Sequence, residues 1–196
     1  MPPLVSGIVL AGGRSTRFGS DKLVAPYAGR PLVHLPIEVL SGICDEVVVV
    51  LAPGDAGAGL PTGVTVANDP TEGEGPLAGL HAGLMSAVRS ESVVVVGGDM
   101  PELQPAVLLE MLQVLASPDI EAVALADGDR ARPLPCVLRT WPAADMTHAL
   151  LHAGRRRLRD VLDALRTAVI DERTWTALDP ERRTLTDVDQ PGDMPG

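Results

Sequence analysis

Aromatic residues are scarce in this 196-residue chain: two Trp, one Tyr and one Phe make up 2% of it. A core must therefore be built from Val, Leu, Ile, Ala and Met, and stacking of bases on aromatic rings is excluded as the main binding device. Positive charge is short as well. Sixteen Lys and Arg against 26 Asp and Glu leave a net charge of −10, without the broad positive field that a general DNA or RNA binder needs. Cys44 and Cys136 have no CxxC spacing and supply neither a disulfide framework nor a zinc site. They fit a reducing compartment. No uninterrupted apolar run approaches the roughly 18 residues of a membrane span, and the first ten residues carry no basic-then-apolar leader. The expectation is a soluble, cytoplasmic protein with neither nucleic acid nor membrane as partner.

What is present reads as one domain over residues 1–196, with 45% apolar content and no low-complexity tract. Runs rich in branched residues at Val5–Leu10, Glu46–Leu51, Val64–Ala67, Ser92–Val96, Glu121–Ala126 and Pro133–Arg139 predict strands, several buried on both faces. Helical spacing recurs at Leu32–Leu40, Leu77–Arg89, Pro105–Leu115, Pro142–His152 and Leu158–Leu165. Such alternation predicts an α/β fold with a mostly parallel sheet between helical layers. Ligands of such sheets sit beyond the carboxyl ends of the strands, so the loops that start at Ala11, Asn68 and Gly97 are expected to face one crevice. The stretch "PGDAGAGLPTG" at 53–63 reads as a surface connection.

The loop "LAGGRSTRFGSDK", residues 10–22, follows the first strand directly. Glycines there let backbone N–H groups approach a ligand closely, a nest suited to phosphate, and Arg14, Arg17 and Lys22 add positive charge. Lys22 is the only lysine beside 15 arginines. The Walker A spacing is absent, since Gly19 is followed by Ser20-Asp21-Lys22, and so is the GxGxxG dinucleotide fingerprint. Histidines point to no other chemistry. His148 and His152 share i, i+4 spacing, but Ala149 replaces the glutamate of HExxH, and no GxSxG elbow occurs.

"LAGGRSTRFGSDK" resembles the signature LAGGxSxRMGxDK of the molybdenum cofactor guanylyltransferases (MobA-like NTP transferases), with Phe18 at the usual Met. Later segments resemble the same family in the same order. "NDPTEGEGPLAGLHAGL" (68–84) is similar to an acid followed by GPLAG, "VVVVGGDMPEL" (93–103) to a strand followed by CDMPxL, and "DVDQPGDM" (187–194) to NxNTPEDL. "GRRRLRDVL" (154–162) resembles the family's basic segment, and "RPLPCVLR" (132–139) a strand near its acceptor site.

The resemblance implies a three-layer Rossmann-like nucleotidyltransferase fold, GTP (or CTP) and a molybdopterin-type acceptor as substrates, Mg²⁺ as cofactor, and transient contact with other cofactor-biosynthesis proteins. It implies a nucleotide site at Leu10, Ala11, Gly12, Gly13, Lys22, Asp69, Gly75, Pro76 and Asp99. Arg17, Lys22 and Asp99 are the implied catalytic residues, Asp99 and Asp189 the metal ligands, and Arg132, Pro133, Arg155 and Arg156 the acceptor side. The residues by themselves leave other readings open: a turn or N-cap aspartate for Asp99, a plain Gly-Pro helix start at Gly75-Pro76, a solvated helix start for the arginines, and either Asp187 or Asp189 as the second ligand. Departures from the pattern bear on the base. The second strand ends Val50-Leu51-Ala52-Pro53, without the asparagine that family members set against guanine, and Asp187-Val188-Asp189 is similar to the DxD of relatives that attach CMP. A silent nucleotide-binding regulatory module is the remaining alternative.

Overall fold

The computed structural model describes residues 4–12, 25–57, 59–69, 75–188 and 193. A seven-stranded sheet runs through it. Its strands are β1 (Val5–Leu10), β4 (Glu46–Leu51), β5 (Thr65–Asn68), β6 (Ser92–Gly97), β7 (Ala122–Asp127), β8 (Arg130–Arg139) and β9 (Thr167–Ile170), in the order β5-β4-β1-β6-β8-β7-β9. Only β8 runs against its neighbours, pairing antiparallel with both β6 and β7. Between β1 and β4 lie a small ribbon, β2 (Pro26–Tyr27) with β3 (Arg30–Pro31), and helix α1 (His34–Ser41). The other helices are α2 (Pro76–Ser86), α3 (Pro105–Leu115), α4 (Thr140–His152), α5 (Arg159–Ala164) and α6 (Glu172–Thr176).

The valine runs explain why the sheet needs two covers. Consecutive side chains on a strand point to opposite faces. Val9, Val47, Val49, Val94 and Val96 accordingly enter one core with Ile37, Leu108, Met111 and Trp175. Ile8, Val48, Val50, Val93 and Val95 enter the other with Leu77, Leu80, Leu84 and Ala143. Helices α1, α3 and α6 cover the first face and α2, α4 and α5 the second, which gives the three layers expected from the sequence. The expected elements are present, with the last strand's start moved to Arg130. The β2–β3 ribbon, strand β9 and helix α6 went unread. "TAVI" is four residues on a sheet edge with Val169 exposed, too short for a period to register. Helix α6 is one turn fixed by the Asp171 carboxylate, which accepts from the Thr174 N–H at 2.9 Å.

Gly83 sets how closely α2 lies on the sheet. A methyl group there would stand 2.8 Å from Ile8 Cγ2 and 3.0 Å from Val50 Cγ2, both held in the core. Gly83→Ala is expected to lower stability despite alanine's better helix propensity, because overpacking costs about 1–3 kcal/mol against a propensity gain of about 1 kcal/mol. Thermal unfolding would show this as a drop of several degrees in Tm.

Candidate active site

The parallel strands bring four chain segments to one edge. Leu10 pairs with Val50 of β4 and with Gly97 of β6, and Leu51 pairs with Asn68 of β5, so the loops after all four strands open on the same side. Hydrogen bonds continue the ladder past the strand ends. Ala11 N–H donates to Val50 O at 2.8 Å, Gly98 N–H to Leu10 O at 2.9 Å and Asp69 N–H to Leu51 O at 3.0 Å. The first residue of three of these loops is thereby held in place, as a preorganised site requires. Gly12 passes so close to the end of β4 that a methyl group would lie 3.2 Å from both Ala52 N and Leu51 C. A side chain here would crowd two backbone atoms of β4's end, which favours glycine.

Asp69 and α2 meet over this edge: the Asp69 Oδ2 lies 3.8 Å from where a methyl group on Gly79 would stand. Gly75 precedes α2 with φ +82°, a left-handed conformation that glycine adopts without a Cβ penalty. A methyl group there would also stand 3.0 Å from the Arg156 carbonyl oxygen. That carbonyl accepts from Leu77 N–H at 3.3 Å, and Ala78 N–H donates to Gly75 O at 3.2 Å. The start of α2 thus differs from an open anion nest: Pro76 has no N–H and the next two donors are engaged. What the packing does is join the GPLAG segment to the arginine segment at Arg156.

Asp99 stands two residues beyond the end of β6. It caps no helix, since the residue before α3 is Gln104. Its Oδ1 sits against Gly97 so closely that a methyl group on Gly97 would overlap it, and its main-chain oxygen accepts from Val188 N–H at 3.0 Å. The carboxyl-terminal motif is therefore fastened beside Asp99, Val188 being fully buried. Arg132 Nη2 donates to Asp187 Oδ2 at 2.7 Å. Pro133 lies in a bulge: β7 and β8 pair at Ala124–Cys136 and next at Leu125–Arg132, which leaves residues 133–135 unpaired in that ladder. Arg155 forks the buried Asp160 carboxylate at 2.6 and 3.1 Å, and this bond, ahead of other causes, holds the Asp160 pKa below the ordinary range. Arg156 Nη1 donates to Leu151 O and Arg155 O. Of the residues the sequence singled out, Leu10, Ala11, Gly12, Asp69, Gly75, Pro76 and Asp99 share this edge. Gly13, Arg14, Arg17, Lys22 and Asp189 lie outside the described residues.

Two contributors escaped the sequence reading. The Asn68 amide donates to Ala52 O at 3.1 Å and Asp55 O at 2.9 Å, fixing the loop after β4. The sole tyrosine, Tyr27, donates to Glu102 Oε1 at 2.8 Å, tying the ribbon after the glycine loop to the segment after Asp99. A lone tyrosine close behind a binding motif was the available signal. His148 and His152 pack edge to face at 4.5 Å, His81 lies 5.7 Å from His148, and burial lowers the His81 pKa. Among the described residues no His, Cys, Asp or Glu group of three or more could hold a metal ion. Neither cysteine is poised to react. Burial pushes both thiols up to about 12, with the Asp45 carboxylate adding to the effect at Cys44. At pH 8 only about one in 10⁴ is thiolate, so native protein should react with iodoacetamide far more slowly than unfolded protein, read as mass added over time.

Comparison with known proteins places this geometry. Residues 7–169 match the MobA-like NTP transferase domain. A probable molybdenum cofactor guanylyltransferase of Chloroflexus aggregans is 31% identical, covering 97% of this chain and 92% of the relative. One of Mycobacterium bovis is 36% identical over 88% of this chain and 87% of its own. Among solved structures, the molybdopterin-guanine dinucleotide biosynthesis protein A of Archaeoglobus fulgidus superposes with a TM-score of 0.81 at 24% identity, covering 96% of this chain and 94% of that one. A 4-diphosphocytidyl-2C-methyl-D-erythritol synthase of Anaerococcus prevotii shares the fold, with a TM-score of 0.72 at 14% identity over 97% and 92% of the two chains. With the domain match spanning most of its length, and with Ala11–Gly12, Asp69 and Asp99 brought to one edge of the sheet, this chain belongs to the MobA-like NTP transferase family.

Proposed function

We propose that the chain transfers GMP from GTP to molybdopterin with release of pyrophosphate. The observation that carries this reading is the convergence of Ala11–Gly12, Asp69, Gly75 and Asp99 on one edge of the sheet. An acceptor phosphate oxygen attacks the α-phosphorus, a new P–O bond forms, and the bond from the α-phosphorus to the oxygen bridging to the β-phosphate breaks, its electron pair leaving with pyrophosphate. The acceptor oxygen is already anionic, so no general base is needed. What the chain must do is align two anions and offset their charge. The glycine loop with Arg17 and Lys22 holds the triphosphate, and Pro133, Arg155 and Arg156 form the acceptor rim.

Asp99 is the hard oxygen donor that fits magnesium, and a cation shared with substrate phosphates and water needs only one or two protein carboxylates. Asp99 and Asp189 would hold it, and when bound it supplies charge neutralisation at the phosphates. CTP in place of GTP is the second reading. It is favoured by Ala52-Pro53 after β4, where no side-chain amide faces the base, and by the use of the Asn68 amide on Ala52 O and Asp55 O. Incubation with magnesium, each nucleoside triphosphate and molybdopterin, followed by mass analysis of the product, tests both. A GMP adduct is expected. A CMP adduct selects the second reading, and nucleotide binding with no acceptor ever consumed sinks both in favour of a regulatory module.

A further inference from the structure

Arg132 stands beside the bulge of β8, within a row of alternating charges. At one end Glu172 pairs with Arg182, whose guanidinium lies 5.2 Å over the buried Trp175 ring and 2.6 Å from Asp127 Oδ1. Asp127 Oδ2 is 3.9 Å from Arg132 Nη1, and Arg132 Nη2 is 2.7 Å from Asp187 Oδ2. The row ends one residue before Val188, whose N–H donates to the Asp99 main-chain oxygen at 3.0 Å. Further bonds fasten the same segment. Thr184 Oγ1 accepts from Gln104 N–H at 3.2 Å, and the Asp179 carboxylate accepts from Arg183 and Thr184 N–H at 3.1 and 2.7 Å.

Each of these ion pairs is partly exposed, so singly they add little stability. Among the described residues Arg132 Nε is moreover buried without a hydrogen-bond partner, a cost to stability rather than a gain. Fold stability does not account for an arginine here. Placement does, because its planar fork faces Asp127 with one nitrogen and Asp187 with the other, which a lysine ammonium cannot do.

We propose that Arg132 is a positioning residue: it holds the Asp187–Val188 segment against the Asp99 main chain, and so fixes the seat from which Asp99 holds its cation, instead of gripping the acceptor. This rests on Asp99 being the cation carboxylate of the proposed reaction. Amide exchange at Val188, followed in the folded protein by NMR, reads the positioning without any turnover. In Arg132→Gln and in Asp187→Asn, exchange at Val188 should speed up about tenfold or more while Val9 and Val48 in the central strands stay unchanged. Arg132→Lys should restore part of the protection.

The magnesium concentration that half-saturates GTP binding should rise about tenfold in Arg132→Gln, with the KM for acceptor within about twofold of the original. Wild-type exchange at Val188 in both Arg132→Gln and Asp187→Asn overturns the proposal, as does a raised acceptor KM with Val188 still protected. If Arg132→Gln fails to fold, Asp187→Asn and Arg132→Lys carry the same comparison. An absence of transfer by the unaltered protein would count against the proposed reaction, while the exchange data would still decide whether Arg132 holds the segment.

Discussion

Asp99→Ala is expected to lower nucleotidyl transfer by about 10³-fold or more, close to 4 kcal/mol of transition-state stabilisation, with the fold retained. In the proposed reaction the carboxylate bears the chemistry of this residue. Its main-chain oxygen accepts from Val188 N–H, and alanine keeps that oxygen. Stability should therefore move by no more than about 1 kcal/mol, a contrast that separates loss of chemistry from loss of structure. Pyrophosphate release at saturating magnesium, set beside a thermal melt, measures both, and turnover above a tenth of the original would refute the assignment. A finer probe is Gly97→Ala. Its new methyl group would overlap Asp99 Oδ1 and little else, with Met100 Cγ next at 3.3 Å. The flexible carboxylate should yield, not the strand, so transfer falls about 10–100-fold while Tm shifts by only about 4 °C at most.

How far this site was legible before the fold depended on where the information lay. Strands such as Ser92–Gly97 announce themselves because a central parallel strand is buried on both faces and must be apolar throughout. The crevice followed from alternation alone, since parallel strands release their loops at one edge. Asp99 could be placed there for the same reason. Partnerships across the chain were not legible. Arg155 and Asp160 are five residues apart, yet nothing in their spacing says that the guanidinium is engaged. Arg132 and Asp187 are 55 apart, and only the antiparallel strand β8 brings them together. At the helix start of Pro76 the carbonyl of Arg156, which takes the Leu77 N–H, comes from 80 residues downstream. Local chemistry is written locally. What occupies it is set by tertiary packing.

The second large effect is expected at Lys22. Lys22→Ala should reduce kcat/KM by about 10²–10³-fold, and Lys22→Arg should recover little of it, although arginine keeps the charge. Of the 16 Lys and Arg, 15 are arginine, and the single lysine falls in the glycine loop. A compact point charge can follow an oxygen as negative charge shifts from the α-phosphate to the leaving pyrophosphate. A planar fork holds two oxygens in one fixed arrangement. The flanks of the loop are pegged on both sides, by Ala11 N–H on Val50 O and by Tyr27 on Glu102. If the lysine acts in the transition state, kcat falls while nucleotide Kd changes by less than about tenfold. Should the substitution instead raise Kd by the whole factor and leave kcat untouched, Lys22 is a ground-state binding residue, and the charge that develops on pyrophosphate must be met by Arg17 and the loop's own N–H groups.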